Sequence, residues 1–377
     1  MRFILTMLLT AAVLAGTCHG AVELPIEAPS ACLVEQVTGT VLYEKDAHAR
    51  RHIASVTKVM TLLLIMEAID TGVIGWDTPV TASPNAASMG GSQIWLEAGE
   101  TMTVEEMVKC ITVVSANDCS VAMAEHLAGS EAAFAQRMND TAARLGLTDT
   151  HFVNCTGLFD DPEHYSSAYD IAMLSRRLMT YDKIRQFTTI WTDTARDGAF
   201  GLSNTNKLIR WYDGATGLKT GFTDGAMYCL AATAERRGEA YAAVVLGCDT
   251  SQHRFDSARV LLDHAFATYT LLDLRSQWVL PPVPVRLGRQ PSVQPVYPES
   301  GVTVLEKSRL ADLRYEQQLE EWVEAPVEQG QQLGTLTVYA GDEQLAQFPL
   351  TAVCAVERQS LWSLYGRLWA LLLGFGQ

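Results

Sequence analysis

The chain has 377 residues, enough for two compact units, the larger able to bury a full core. Its formal charge of -15, from 43 acidic against 28 basic side chains, excludes a polyanionic partner such as nucleic acid, whose phosphates are normally neutralised by clustered Lys and Arg.

Residues 1–20 carry Arg2, an apolar run from Phe3 to Ala15 and small residues ending near Gly20, the pattern of an export signal. Within it, "LAGTC" approaches a lipid-attachment box, but Thr17 stands where a Gly or Ala would precede Cys18, which argues against lipidation. Eight cysteines occur, and seven remain if Cys18 leaves with the signal, so at least one cannot pair within the chain. Cys110, Cys119, Cys155 and Cys229 sit among apolar or small residues, the setting of small buried hydrophobes. A Cys110–Cys119 bridge would join residues on one helical run that point badly for it.

Ala31 to Arg51 reads as strand, turn, strand. "HIASVTKVMTLLLIME", His52 to Glu67, then starts a helix that is apolar almost all round and so belongs at the centre of its domain. Helices are expected at Thr103–Cys110, Ser115–Leu127, Glu131–Leu145 and Ser167–Met179, while Ser83-Pro84-Asn85 reads as a loop. From Asn206 to Gly247 the texture is that of strands, including "LIRWYDGATGLKTGF" and a hairpin through Arg236-Arg237-Gly238-Glu239, and a last helix runs from Ser251 to about Leu274. These elements predict an α+β domain, an antiparallel sheet covered by helices. The prolines of "LPPVPV" mark a boundary, beyond which short alternating segments to Val356 predict a small all-β domain. The tail from Glu357 to Gln377 has an apolar helical face, Trp362 and Trp369 beside it, and an interrupting Arg367. It fits an amphipathic helix lying on a membrane surface rather than spanning it. The partition is therefore 1–20, 21–275, 276–356 and 357–377.

The chemistry begins at Ser55 and Lys58. Residues three apart on a helix share a face, so the Lys58 amine can reach the Ser55 hydroxyl. A serine is a weak nucleophile until a base takes its proton, and a lysine serves if burial or a neighbouring cation keeps part of it neutral. A helix N-terminus adds backbone N–H groups where an oxyanion would form. Alone, S-x-x-K equally describes a capping serine and a surface lysine. Two further elements follow in order: Ser115-Ala116-Asn117, opening a helix, and Lys219-Thr220-Gly221, where a strand begins. The other S-x-N copy, at Ser83, is set aside because its loop context fixes no aim.

The ordered set S-x-x-K, S-x-N, K-T-G resembles the signature of the penicillin-binding protein and serine β-lactamase superfamily. Longer stretches, "GGSQIWLEAGETMTVEEM", "SANDCSVAMAEHLAGS", "TGLFDDPEHYSSAYDIAML" and "YDGATGLKTGFTDGAMYCLAATAERRG", resemble the low-molecular-mass D-alanyl-D-alanine carboxypeptidases, peptidase family S11, over roughly Ala31 to Leu274. The β domain and amphipathic tail match that family's architecture.

The resemblance implies a penicillin-binding fold and a serine carboxypeptidase without cofactor or metal, exported and held at the outer face of the cytoplasmic membrane. Its substrate would be the peptidoglycan pentapeptide stem and its inhibitors β-lactams. Ser55 would attack the penultimate D-alanine carbonyl, with Lys58 as base and Ser115 and Lys219 relaying protons. Asn117 would hold the substrate amide, and Lys219 with Thr220 the terminal carboxylate. Gly221 completes that motif, and the N–H groups of Ser55 and Phe222 would form the oxyanion hole. Arg254 fits a second carboxylate-binding cation and equally a helix-surface arginine. Three cations near one serine are expected to depress the Lys58 pKa, and His164 and Tyr165 to shape a loop. A β-lactamase would need a deacylating glutamate in an E-x-x-L-N loop, which the sequence between S-x-N and K-T-G lacks. A catalytically silent wall-binding protein would have no reason to keep every reacting group.

Overall fold

The computed structural model describes residues 23–273, 280–297, 301–360, 362 and 365. They divide between a unit spanning Val22–Thr268 and a second from Tyr269 onward. In the first, β1 (Ser30–Glu35) and β2 (Val41–Lys45) pair, and a 3₁₀ turn, Ala54–Thr57, leads straight into α1 (Lys58–Asp70). Next come β3 (Pro79–Thr81), α2 (Pro84–Ala87), β4 (Thr101–Thr103), α3 (Val104–Val113), α4 (Asn117–Ala128), α5 (Glu131–Arg144), α6 (Ala168–Leu178) and α7 (Asp182–Thr188). The unit closes with β5 (Thr192–Ala195), β6 (Phe200–Ser203), α8 (Leu208–Trp211), β7 (Ala215–Thr223), β8 (Met227–Arg236), β9 (Glu239–Cys248) and α9 (Ser251–Thr268).

Five strands form one antiparallel sheet in the order β2-β1-β9-β8-β7. Strand β9 is buried along nearly its whole length, as expected for a strand covered on both faces. Its side chains alternate accordingly: Ala242, Val244 and Leu246 join the main core with α1, whereas Tyr241 packs edge-on against Phe266 of α9 at 4.9 Å. Helix α1 is buried on almost every side, as its uninterrupted apolar pattern predicts. Strand β7 lies at the sheet edge and packs against the 3₁₀ turn, which brings the S-x-x-K and K-T-G segments together.

The second unit contains only strands and one 3₁₀ stretch among its fully described elements, and the expected all-β domain is present. Here β10 (Tyr269–Asp273), β11 (Val283–Arg286), β12 (Ser292–Val293), β13 (Pro295–Val296), β14 (Val302–Glu306), β15 (Leu313–Leu319), β16 (Val323–Glu324), β17 (Gln332–Ala340) and β18 (Glu343–Ala352) enclose two small apolar clusters.

Several local expectations are corrected. The last helix stops at Thr268 and does not reach Leu274. Tyr-Thr-Leu-Leu-Asp instead pairs with β14, because aromatic and β-branched residues with a partner strand favour the sheet. "LIRW" is a helical turn, started where the Asn206 side chain accepts from Leu208 N–H. Ser83-Pro84-Asn85 opens α2, with Ser83 capping Ala86 and Pro84 in the first turn. Cys110 and Cys119 are both free thiols. The expected export signal lies outside the described residues, as does most of the tail, of which Trp362 and Tyr365 are helical and exposed. No helix among the described residues is long and apolar enough to cross a membrane.

Candidate active site

Ser55 sits on the 3₁₀ turn, where side chains three apart eclipse and Lys58 comes directly under it. The preceding residue, Ala54, has a left-handed backbone with φ of 47°, a conformation that costs a non-glycine residue about 1–2 kcal/mol. A chain of groups holds it there. Thr57 Oγ1 donates to the Ala54 carbonyl at 2.7 Å, and His164 Nε2 lies 2.7 Å from Thr57 Oγ1. His164 Nδ1 accepts from Val153 N–H at 3.1 Å, which places the single imidazole proton on Nε2. Burial pulls His164 down to about 4, so the ring stays neutral. Two glycines let other segments close on this turn: a Cβ on Gly157 would lie 1.9 Å from the Ala54 oxygen, and one on Gly221 2.7 Å from the Ile53 oxygen.

Lys58 is fully buried. Its Nζ donates to Ser55 Oγ at 3.0 Å, to Asn117 Oδ1 at 2.6 Å and to the Thr156 carbonyl at 2.8 Å. Burial lowers its pKa to about 7, with Asp118 and Cys155 pulling the other way. Of the two causes open from the sequence, burial and neighbouring cations, desolvation by burial is the one that lowers it.

Asn117 is also buried and has both ends of its amide engaged, since Nδ2 donates to the Gly90 carbonyl at 2.8 Å. Helix α4 begins at Asn117 rather than at Ser115. Ser115 is aimed by a left-handed backbone with φ of 64°, two residues ahead of the helix, and its buried Oγ has no hydrogen-bond partner. A strained residue carrying an unpaired hydroxyl is a typical feature of a site awaiting a ligand.

On β7, Lys219 is buried, with Nζ donating to the Thr220 carbonyl at 2.8 Å. Burial holds its pKa well below the ordinary lysine value, and the charges of Lys58 and Arg254 add to the effect. Thr220 Oγ1 donates to Thr205 Oγ1 at 2.7 Å. Phe222 is half exposed, its ring 4.4 Å from that of Tyr228. Arg254 is not a surface arginine. It is 9% exposed, lies between the rings of Tyr228 and Phe255, and donates through Nη1 to the Gly221 carbonyl at 3.0 Å. It thus supports the K-T-G strand from beneath.

Sequence reasoning missed the Thr156 and Gly90 carbonyls, because backbone acceptors leave no residue signal. It also missed that Thr57, inside the S-x-x-K motif, and Gly157 brace the turn, and that His164, expected only to shape its own loop, reaches Thr57. Asp118 was missed too: its carboxylate accepts from Ile94 and Leu96 N–H at 3.0 Å each and fixes the loop beside Asn117.

Residues 18–250 match the peptidase S11 family, described as D-alanyl-D-alanine carboxypeptidase, and residues 278–358 match the C-terminal domain of penicillin-binding protein 5. D-alanyl-D-alanine carboxypeptidase DacF of Bacillus subtilis is 44% identical over 337 residues, 88% of this chain and 86% of that protein. DacD of Escherichia coli is 30% identical over 358 residues, 90% of this chain and 89% of its own. Among solved structures, penicillin-binding protein 5 of Haemophilus influenzae matches with a TM-score of 0.79 at 25% identity, over 90% of this chain and 100% of that one. Penicillin-binding protein D2 of Listeria monocytogenes, solved in its ampicillin-bound form, matches with a TM-score of 0.59 at 32% identity, over 65% of this chain and 99% of that one. With both halves of the chain matched and the three motifs gathered around one buried lysine, the chain belongs to the peptidase S11 family of D-alanyl-D-alanine carboxypeptidases.

Proposed function

We propose that this protein removes the terminal D-alanine from peptidoglycan pentapeptide stems through an acyl-enzyme on Ser55. The observation that carries the reading is the Lys58 amine, buried, lowered to about 7 and 3.0 Å from Ser55 Oγ. A lysine poised near neutral pH is the base that a serine hydroxyl needs.

In this scheme neutral Lys58 takes the Ser55 proton as Oγ attacks the penultimate D-alanine carbonyl. The backbone N–H groups of Ser55 and Phe222 receive the oxyanion. Ser115 Oγ, with no partner of its own, gives its proton to the departing D-alanine nitrogen and is reprotonated by the Lys58 ammonium, which returns to the neutral base needed for hydrolysis. Lys219, Thr220 and the positive charge of Arg254 receive the terminal carboxylate, whose arrival favours a protonated Lys219. Asn117 holds Lys58 in line through Oδ1 and can offer its amide to the substrate backbone. Water then attacks the ester and frees Ser55. β-Lactams acylate the same oxygen and act as inhibitors. The protein acts outside the cytoplasmic membrane, exported by residues 1–20 and held at the membrane's outer face by the 357–377 tail.

The test is D-alanine release from a peptide ending in D-Ala-D-Ala, run with Ser55→Ala in parallel. Release by the wild type that disappears in the variant supports the reading. A folded wild type that releases none overturns it, and turnover of penicillin in that case would identify a β-lactamase.

A further inference from the structure

A cavity of about 500 Å³ opens beside the segment that leads into the Ser55 turn. Arg50, Arg51 and His52, which lead into the turn, form one wall; Gly225 and Ala226 of the β7–β8 turn and Met227 at the start of β8 form another. No carboxylate lines it, although the chain as a whole carries a charge of -15. The two arginines are held very differently. Arg50 lies 5.1 Å over the Tyr165 ring, 3.4 Å from Asp149 Oδ1, and donates to the Thr148 carbonyl at 3.2 Å. The half-buried Arg51 guanidinium has no hydrogen-bond or ion-pair partner among the described residues, and its Nε is buried without an acceptor. Its backbone is fixed nonetheless, exchanging both hydrogen bonds with Ser166.

A buried guanidinium nitrogen without an acceptor is costly, and a fixed one gains most from an entering anion. We propose that this cavity binds a carboxylate carried by the peptide substrate upstream of the scissile bond, with Arg51 as its partner. The inference rests on the carboxypeptidase reading. Edge strand β7 can take an extended peptide alongside it. A peptide whose reacting carbonyl lies at Ser55 and Phe222 is handed on by the end of β7 to the turn that walls the cavity. Arg51 would then select substrate while taking no part in bond making.

The experiment uses the full chain and two peptides ending in D-Ala-D-Ala that differ only in one upstream carboxylate or its carboxamide. For the wild type, kcat/KM should favour the carboxylate by roughly tenfold or more, the scale of a charge-assisted pair. Arg51→Gln should erase that preference while leaving penicillin acylation of Ser55 and the melting temperature unchanged, and Arg51→Lys should keep part of it. Equal rates in the wild type, or a preference that survives Arg51→Gln, would overturn the proposal. Should the wild type take penicillin but release no D-alanine, the carboxypeptidase reading fails by itself. Protection of Ser55 against penicillin by the two peptides then decides: stronger protection by the carboxylate, lost in Arg51→Gln, supports the pocket, and equal protection rejects it.

Discussion

Two titrating groups stand close to Ser55, and their environments push them to different places. Lys58, lowered to about 7 by burial, changes charge within the range of ordinary assays, whereas His164, lowered to about 4, does not. Because the neutral amine is the base, the rate of Ser55 acylation by penicillin should rise with pH, about tenfold per unit below pH 7, and level off above about 8. Lys58→Gln, which keeps a polar side chain but not basicity, should lower the rate roughly 10²–10⁴-fold and remove that rise. Stopped-flow acylation from pH 5.5 to 9 would decide it, and a limb unchanged in the variant would assign the base elsewhere. Of this candidate site, Ser55 and Lys58 were legible from their spacing, and Ser115, Asn117 and Lys219 from the likeness of their motifs to a family signature. The cause of the Lys58 shift was not, since burial depends on which helices finally close over the amine. Arg254 shows the same limit from the other side: its residue type suited a substrate cation and a surface arginine equally, and only packing, which buries it beneath Gly221, removes the second.

Among the elements, the 3₁₀ turn matters most, because its strained Ala54 is held by contacts from three other segments. Gly157→Ala would press a Cβ into the Ala54 carbonyl at a backbone φ of +68°, and should cost roughly 1–3 kcal/mol from overpacking with a further 1–2 from the left-handed backbone. Gly72→Ala, at φ of +74° with nothing within 4 Å, isolates the backbone part alone, and should cost only about 1–2 kcal/mol while sparing acylation. Comparing denaturation midpoints and acylation rates of the two variants separates strain from steric blockade. The loop that carries His164 makes a pH prediction of its own. Its folded pKa lies below the ordinary 6.5, so the unfolded chain binds the proton more tightly. Stability present above pH 6.5 is therefore lost as pH falls toward 4, by about 3 kcal/mol in total. His164→Gln should start from a lower melting temperature and fall less steeply across that window; parallel curves would show that the ring does not brace the turn. Elements with long apolar stretches, α1, β8 and β9 above all, were legible from the chain. The switch from α9 to β10 was not, because Tyr269–Asp273 becomes a strand only through antiparallel pairing with β14, in which Tyr269 faces Glu306 and Asp273 faces Val302.

At the scale of the molecule, every residue assigned to the site lies within Val22–Thr268, which has a core of its own, while the second unit encloses separate small clusters. Solved relatives that match 65% of this chain over 99% of their own length, such as the Listeria protein with ampicillin bound, have the extent expected of a catalytic unit alone. A fragment spanning Val22–Thr268 should therefore fold, and penicillin should acylate its Ser55 within about threefold of the full-chain rate, the difference of well under 1 kcal/mol that leaves a preorganised site intact. The end point matters. Extending the fragment through Asp273 adds β10 without β14, an apolar strand with unpaired backbone groups, and should lower solubility and promote association. Labelling both fragments with a fluorescent penicillin, beside sedimentation of each, tests the boundary and the autonomy of the site together. Acylation that collapses in the shorter, folded fragment would mean that the second unit helps to shape the catalytic turn, and the site would then have to be treated as a property of the whole chain.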